Sequence, residues 1–195
     1  MSKSSRKFRV PDELANVYDL ANTLDLRRFT YHGVAHAQSD ELADANKLQA
    51  WLRDRNLASP GARLPRTALR SALQFRQALR DYLRCDGAER QTNRKVVDAL
   101  NRAMRPFALT VEATRSGMAL KSAEQSAAGL SHLVAELYNA ETRNQLARLK
   151  MCASDECRRV FFDRSKPASR RWCQSALCGN RNKTRAYRER QRQDG

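Results

Sequence analysis

Cys152-Ala-Ser-Asp-Glu-Cys157 and Cys173-Gln-Ser-Ala-Leu-Cys178 are two cysteine pairs of identical spacing, and a basic run follows the second at once. That run contains Arg181, Lys183, Arg185, Arg188, Arg190 and Arg192. A loop of this length can bring two thiolates to one ion, and two such loops complete a tetrahedral shell. Between the pairs, residues 158–172 suffice for a small hairpin, but Val160, Phe161, Phe162 and Trp172 are the only large apolar groups there. A core that small does not fold unaided. Metal binding, worth roughly 10–16 kcal/mol in isolated zinc fingers, supplies the missing stability. The expectation is one structural Zn²⁺ held by Cys152, Cys157, Cys173 and Cys178; an iron–sulfur cluster uses the same kind of donor set. A filled sulfur shell leaves no position for water, so the site reads as structural rather than catalytic. Arg158, Arg159, Arg171 and Arg181 are close enough in sequence to offset the negative charge of four thiolates.

Charge supports this reading. The 195-residue chain carries a formal net charge of +16. From Arg148 onward, 14 Lys and Arg residues stand against 5 Asp and Glu, so more than half of the excess lies in the last quarter. Such a footprint favours a polyanion, with nucleic acid first and an anionic membrane surface second. No apolar run approaches the roughly 20 residues that span a bilayer. The first residues, Met1 to Arg9, are charged and lead into no apolar stretch, so a secretory signal is not expected. The expected location is cytoplasmic, nucleoid-associated when bound to DNA. In that reducing compartment cysteines bind metal more readily than they form disulfides.

Ahead of the cysteines the chain reads as helical. Leu14, Val17, Tyr18, Ala21 and Leu24 recur at three- and four-residue steps. Arg27 to Gln38 shows no period and reads as a loop. Ser39 is the expected cap of a second helix with Leu42, Ala45, Leu48, Trp51 and Leu52 on its apolar face. Further helices are expected over about 66–84, 89–104 and 122–142. Between the last two, Phe107 to Leu120 alternates around Ser116-Gly117 and predicts a β-hairpin. The fold class is therefore mainly α with one small β-hairpin: a helical N-terminal domain, then a small treble-clef-like zinc finger ending in a basic helix. The expected organisation is a disordered basic N-terminus over 1–10, a helical domain over 11–145 and the finger over 146–195.

The finger's residues resemble a known family. Cys152-x4-Cys157, Phe162-Asp163-x-Ser165 and Arg171-Trp172-Cys173-x4-Cys178-Gly179-Asn180-Arg181-x-Lys183 follow the pattern of the CGNR zinc finger, named for the tetrapeptide at Cys178 to Arg181. The helical region resembles the ABATE domain that usually precedes it. Asp19-Leu20-Ala21-Asn22-Thr23 matches its early signature, and the segment from Leu42 to Trp51-Leu52 matches its second landmark. The resemblance implies a bacterial, stress-induced transcription regulator that binds DNA through the finger.

Within the tetrapeptide, Gly179 permits a backbone conformation or a close approach that a Cβ hinders. Asn180 can bond local backbone or cap the coming helix. Arg181 can back a thiolate or reach a phosphate, and both readings stay open. On the helix from about Asn182 to Arg192, the residues Arg181, Arg185, Arg188 and Arg192 share one side, flanked by Lys183 and Arg190. Arg170 and Arg171 can add contacts from the loop. Guanidinium groups suit phosphates and guanine edges. Tyr187 is expected to pack back on the finger.

The leading expectation is a zinc-dependent, DNA-binding transcriptional regulator whose helical domain serves as sensor, dimerisation or partner surface. An RNA-binding zinc protein and a module whose finger binds a protein partner are the alternatives. A homodimer and a small-molecule effector stay open, with Asn22 and Thr23 as candidate ligand contacts. No catalytic activity is expected. Asp19, Asn22, Asp25, His32 and His36 are the polar groups an enzyme would use, but they show no nucleophile–base or metal spacing.

Overall fold

A computed structural model describes residues 5, 8–31, 33–58, 61 and 63–193. His32 lies outside the described residues, as does most of the segment before Phe8. Among the described residues there are seven α-helices: α1 Ala15–Asn22, α2 Ala45–Arg53, α3 Ala68–Arg84, α4 Gly87–Thr92, α5 Arg94–Met104, α6 Ala128–Thr142 and α7 Asn180–Gln193. Eight short strands pair antiparallel in four two-stranded ladders. β1 (Leu24–Asp25) pairs with β4 (Ser39–Asp40), and β2 (Thr30–Tyr31) with β3 (Val34–Ala35). β5 (Leu109–Thr114) pairs with β6 (Gly117–Ser122), and β7 (Leu149–Met151) with β8 (Val160–Phe162). None of these helices is long and apolar enough to cross a membrane.

The core forms around α1. Val17, Tyr18, Leu20 and Ala21 are fully buried against Phe75 and Leu79 of α3 and Leu130 and Leu133 of α6. Glu136 of α6 holds the start of α1: its carboxylate accepts hydrogen bonds from the Val17 amide at 3.1 Å and the Asn16 side chain at 2.6 Å. An anion at a helix N-terminus meets free N–H groups and the positive end of the dipole. Where α6 passes the 53–58 turn, a Cβ on Gly129 would stand 2.1 Å from the Leu57 carbonyl oxygen, so only glycine fits.

Several sequence expectations change here. The second helix begins at Ala45, capped by Asp44, whose side chain accepts from the Lys47 amide. Ser39 lies instead in β4, because neighbouring Asp40 forms a two-pronged ion pair with buried Arg76 at 2.6 and 2.7 Å. The helix expected over 89–104 is two helices, with Asp86 and Glu89 forming a capping box for α4 and Asn93 capping α5. The unperiodic stretch from Arg27 to Gln38 contains the β2–β3 hairpin, nested inside the β1–β4 pair. Of residues 1–10, expected to be disordered, the described Val10 is buried, and the Phe8 ring lies 6.4 Å from that of Tyr18.

The β7–β8 hairpin is not an appendage. Leu149, Met151 and Val160 belong to the same buried cluster as the helices. Asn22 acts toward β8 as a neighbouring strand would: its Oδ1 accepts from the Val160 amide at 3.0 Å, and its Nδ2 donates to the Val160 carbonyl at 3.1 Å. Two arginines complete the join. Arg80 is buried and donates to the Ala21 carbonyl at the end of α1 and to the Arg158 carbonyl at 3.0 Å. Arg90 donates to the carbonyls of Tyr82 and Cys85 at the end of α3, and to that of Leu149 at 2.9 Å. Each arginine thus satisfies the last carbonyls of a helix, where the dipole favours a cation, while reaching across to the hairpin.

Asn22→Ala leaves both backbone groups of fully buried Val160 without their partner. The expected cost is about 2–4 kcal/mol, read as a lower urea midpoint at unchanged slope.

Candidate metal centre and basic helix

The hairpin sets two of the four cysteines. Cys152 follows β7 directly, and its amide donates to the Arg159 carbonyl at 2.9 Å, closing the turn. Within the turn the amides of Cys157 and Arg158 both donate to the Ser154 carbonyl, and Arg158 takes a left-handed φ of 49°. The other pair comes from the approach to α7. Cys173 precedes a π-helical turn, Ser175–Gly179, that contains Cys178 and runs into the helix. A Cβ on Gly179 would lie 3.3 Å from Cδ1 of Trp172, so the glycine admits the indole against the cluster. Asn182, rather than Asn180, bonds the local backbone, donating to the Cys178 carbonyl at 2.8 Å.

The four Sγ atoms all lie within 4.8 Å of one another. Cys157 and Cys173 are 3.6 Å apart and Cys173 and Cys178 3.7 Å apart at sulfur. A tetrahedron with Zn–S bonds of about 2.3 Å has edges of ~3.8 Å. Spacing, donor chemistry and burial therefore fit one structural Zn²⁺. When bound, the ion supplies a cross-link between hairpin and helix and holds the thiols ionised. Hydrogen bonding within the cluster, from Cys152 first, and burial push the thiols of Cys173 and Cys178 up.

Behind the cysteines stands a polar brace. Asp163 is fully buried and accepts from the Ser165 amide and hydroxyl, the Arg170 amide and the Lys150 ammonium. Burial alone would raise its carboxyl, but these donors hold it down at about 2. The residues Phe162-Asp163-x-Ser165 of the motif are thus a turn built around one carboxylate. The Arg170 guanidinium then donates to the carbonyls of Trp172 at 3.3 Å and Cys173 at 2.7 Å and lies over the Phe161 ring. Arg27, from the irregular segment after α1, is held by Asp25, and its positive charge is favoured by the nearby sulfurs of Cys157 and Cys173.

The basic residues expected to face nucleic acid divide into two groups. Arg170 is consumed by the brace. Arg171 is exposed beside the Trp172 ring, 5.5 Å from its centroid. Arg181 donates to the Thr30 carbonyl at 2.8 Å and lies 4.3 Å over the Phe29 ring. Arg185 is ion-paired with Glu156. By contrast, Lys183, Arg188, Arg190 and Arg192 are exposed and have no hydrogen bond or ion pair to any described residue. Tyr187 does not pack back on the finger: 56% of it is exposed.

The side chains of Asn22 and Thr23 are both engaged within the protein. Asn22 is spent on Val160, and the buried Thr23 hydroxyl donates to the Leu20 carbonyl and accepts from Arg76. The other polar residues of this region are also occupied. Asp19 faces Arg55 at 3.6 Å, and Asp25 binds both Arg27 and His36. Within the Asp-Leu-x-Asn-Thr signature, Asn22 joins the helices to the finger, while Asp19 and Thr23 meet Arg55 and Arg76 inside the helical part. Sequence reasoning missed Arg76, Arg80 and Arg90. Arg76 and Arg80 gave one signal, falling on the apolar face of α3, whereas Arg90 sits in the polar α4 and gave none.

Arg170→Ala is expected to lower zinc affinity on the order of 10–100-fold, as loss of a group orienting a ligand does. Competition against a colorimetric chelator measures it. Unchanged zinc affinity together with weakened duplex binding would instead return Arg170 to the nucleic-acid surface.

Two family models match the chain. The CGNR zinc finger covers residues 148–191, and ABATE, described as "Putative stress-induced transcription regulator", covers residues 15–155. No curated protein matches. The two matches overlap at 148–155, along the hairpin that helices and finger share. Because the ABATE match spans well over half of the sequence, the chain belongs to the ABATE family, with a CGNR zinc finger built onto its helices.

Proposed function

We propose that the protein is a zinc-dependent regulator of transcription that grips duplex DNA with α7. The carrying observation is that α7 has no buried residue and presents Lys183, Arg188, Arg190 and Arg192 without a protein partner. A helix this polar on every side gains nothing from packing and finds its partner outside the chain. At 14 residues it is about 21 Å long, and its width matches the roughly 12 Å major groove. Arg181 and Arg185 fasten its base to Thr30 and Glu156, which gives the free basic residues a fixed direction. The exposed Tyr187 ring adds a surface for a sugar or base. Zinc acts through structure, since Cys178 lies in the turn that launches the helix.

The helical domain serves as the sensor or partner surface in this reading. RNA is the competing polyanion, and equal affinity for duplex RNA would favour it.

The test is the salt dependence of duplex binding by fluorescence anisotropy. Log K falls linearly with log salt, and Arg188→Gln reduces the slope by about 0.9 if Arg188 neutralises one phosphate. Binding that ignores salt, or that survives removal of zinc unchanged, contradicts the proposal.

A further inference from the structure

A cavity of about 490 Å³ opens beneath the β5–β6 hairpin, between it and helices α5 and α6. The hairpin register puts Leu109, Val111 and Ala113 opposite Ser122, Leu120 and Met118, so one face is apolar, while Thr110, Glu112 and Lys121 lie on the other. Leu109 and Leu120 form part of the cavity wall, with Val97 of α5 and Val134 of α6 across from them. No residue of the lining carries a charge at neutral pH, on a chain whose net charge is +16. Three lining side chains can hydrogen-bond: Tyr82, Asn101 and Tyr138. None of their polar atoms has a hydrogen-bond partner among the described residues.

An apolar pocket of this size with a few uncommitted polar groups is the usual form of a small-molecule site. The lining also fixes the ligand's chemistry. A charged group buried here would find no counter-ion among the lining residues, and its desolvation would go uncompensated. We infer that this cavity binds an uncharged, mainly apolar small molecule that bears one or two hydrogen-bonding groups. Its polar groups meet Tyr82, Asn101 and Tyr138, and its body lies against the hairpin and the two valines. The site stands apart from Asn22 and Thr23, which the protein itself occupies. It does not rest on duplex binding, so the two readings fail separately.

The probe is N-phenylnaphthylamine, uncharged and fluorescent in apolar surroundings, titrated into the zinc-loaded full chain without DNA. The expected result is saturable binding of one probe per chain. Val97→Trp fills the cavity from a half-buried position and lowers probe affinity about tenfold or more. Asn101→Trp does the same from an exposed position at the lining, where the larger side chain does not threaten the fold. Val111→Ser, on the exposed part of the hairpin outside the cavity, leaves binding unchanged. Absence of saturable binding overturns the inference, as does loss with Val111→Ser but not with the filling variants. A dimer in sedimentation that Asn101→Trp breaks also overturns it, because a second copy then covers the pocket.

Discussion

The structure depends on how β8 is held. Val160 is fully buried, its side chain lies in the helical core, and its backbone is paired by the Asn22 side chain. An amide side chain presents an N–H donor beside a carbonyl acceptor, as a peptide group does, so it can substitute for a missing strand, and the second N–H of Asn22 bonds the Tyr18 carbonyl. The cost of burying an unpaired strand edge is thereby avoided. Arg80 and Arg90 extend the same join. Burial lowers the pKa of both guanidinium groups, so their positions are costly without compensation. Carbonyls at the ends of α1 and α3 supply that compensation, and these oxygens otherwise lack partners within their helices. One set of hydrogen bonds therefore caps two helices and fixes the finger's direction.

Zinc holds the opposite end. The cysteines, Phe161 and Trp172 form a small cluster separate from the main core, too small to be stable alone. The hairpin belongs to both clusters, through Val160 on one side and Phe161 on the other. The metal thus joins α7 to a hairpin that the helices already hold. The charge of the finger is divided accordingly. Part of it braces the site, through Arg170 and Arg148, and part anchors the helix, through Arg181 and Arg185. Lys183, Arg188, Arg190 and Arg192 stand exposed on α7.

The metal ligands, the hairpin of residues 109–122 and most helices were legible because each follows from a local rule: ligand spacing, alternation, or the helical period. Ser39 misled because a capping residue before an apolar face is a local signal, whereas Asp40 answers to Arg76, 36 positions away. Two-residue strands such as Thr30–Tyr31 have no period to detect. The basic residues were read by sign alone. Charge density marked the finger correctly, but it could not separate Arg170, bonded to the Cys173 carbonyl, from Arg188, which faces solvent. Asn22 and Thr23 belonged to a recognisable signature, yet their partners, Val160 and Arg76, are distant in sequence. Within that signature Asn22 attaches the finger, and Thr23 fixes Arg76 among the helices.

The central claim is that helices and finger unfold as one unit. The two tryptophans report on the two parts: Trp51 lies in the helical core and Trp172 against the cysteine cluster. Fluorescence of Trp172→Phe follows the helices, and that of Trp51→Phe follows the finger. With the shift each substitution causes measured separately by circular dichroism, the zinc-loaded protein is expected to give coincident urea transitions from both probes. A Trp172 transition well below that of Trp51 would contradict the account, because the finger would then be an independent module hung on the helices.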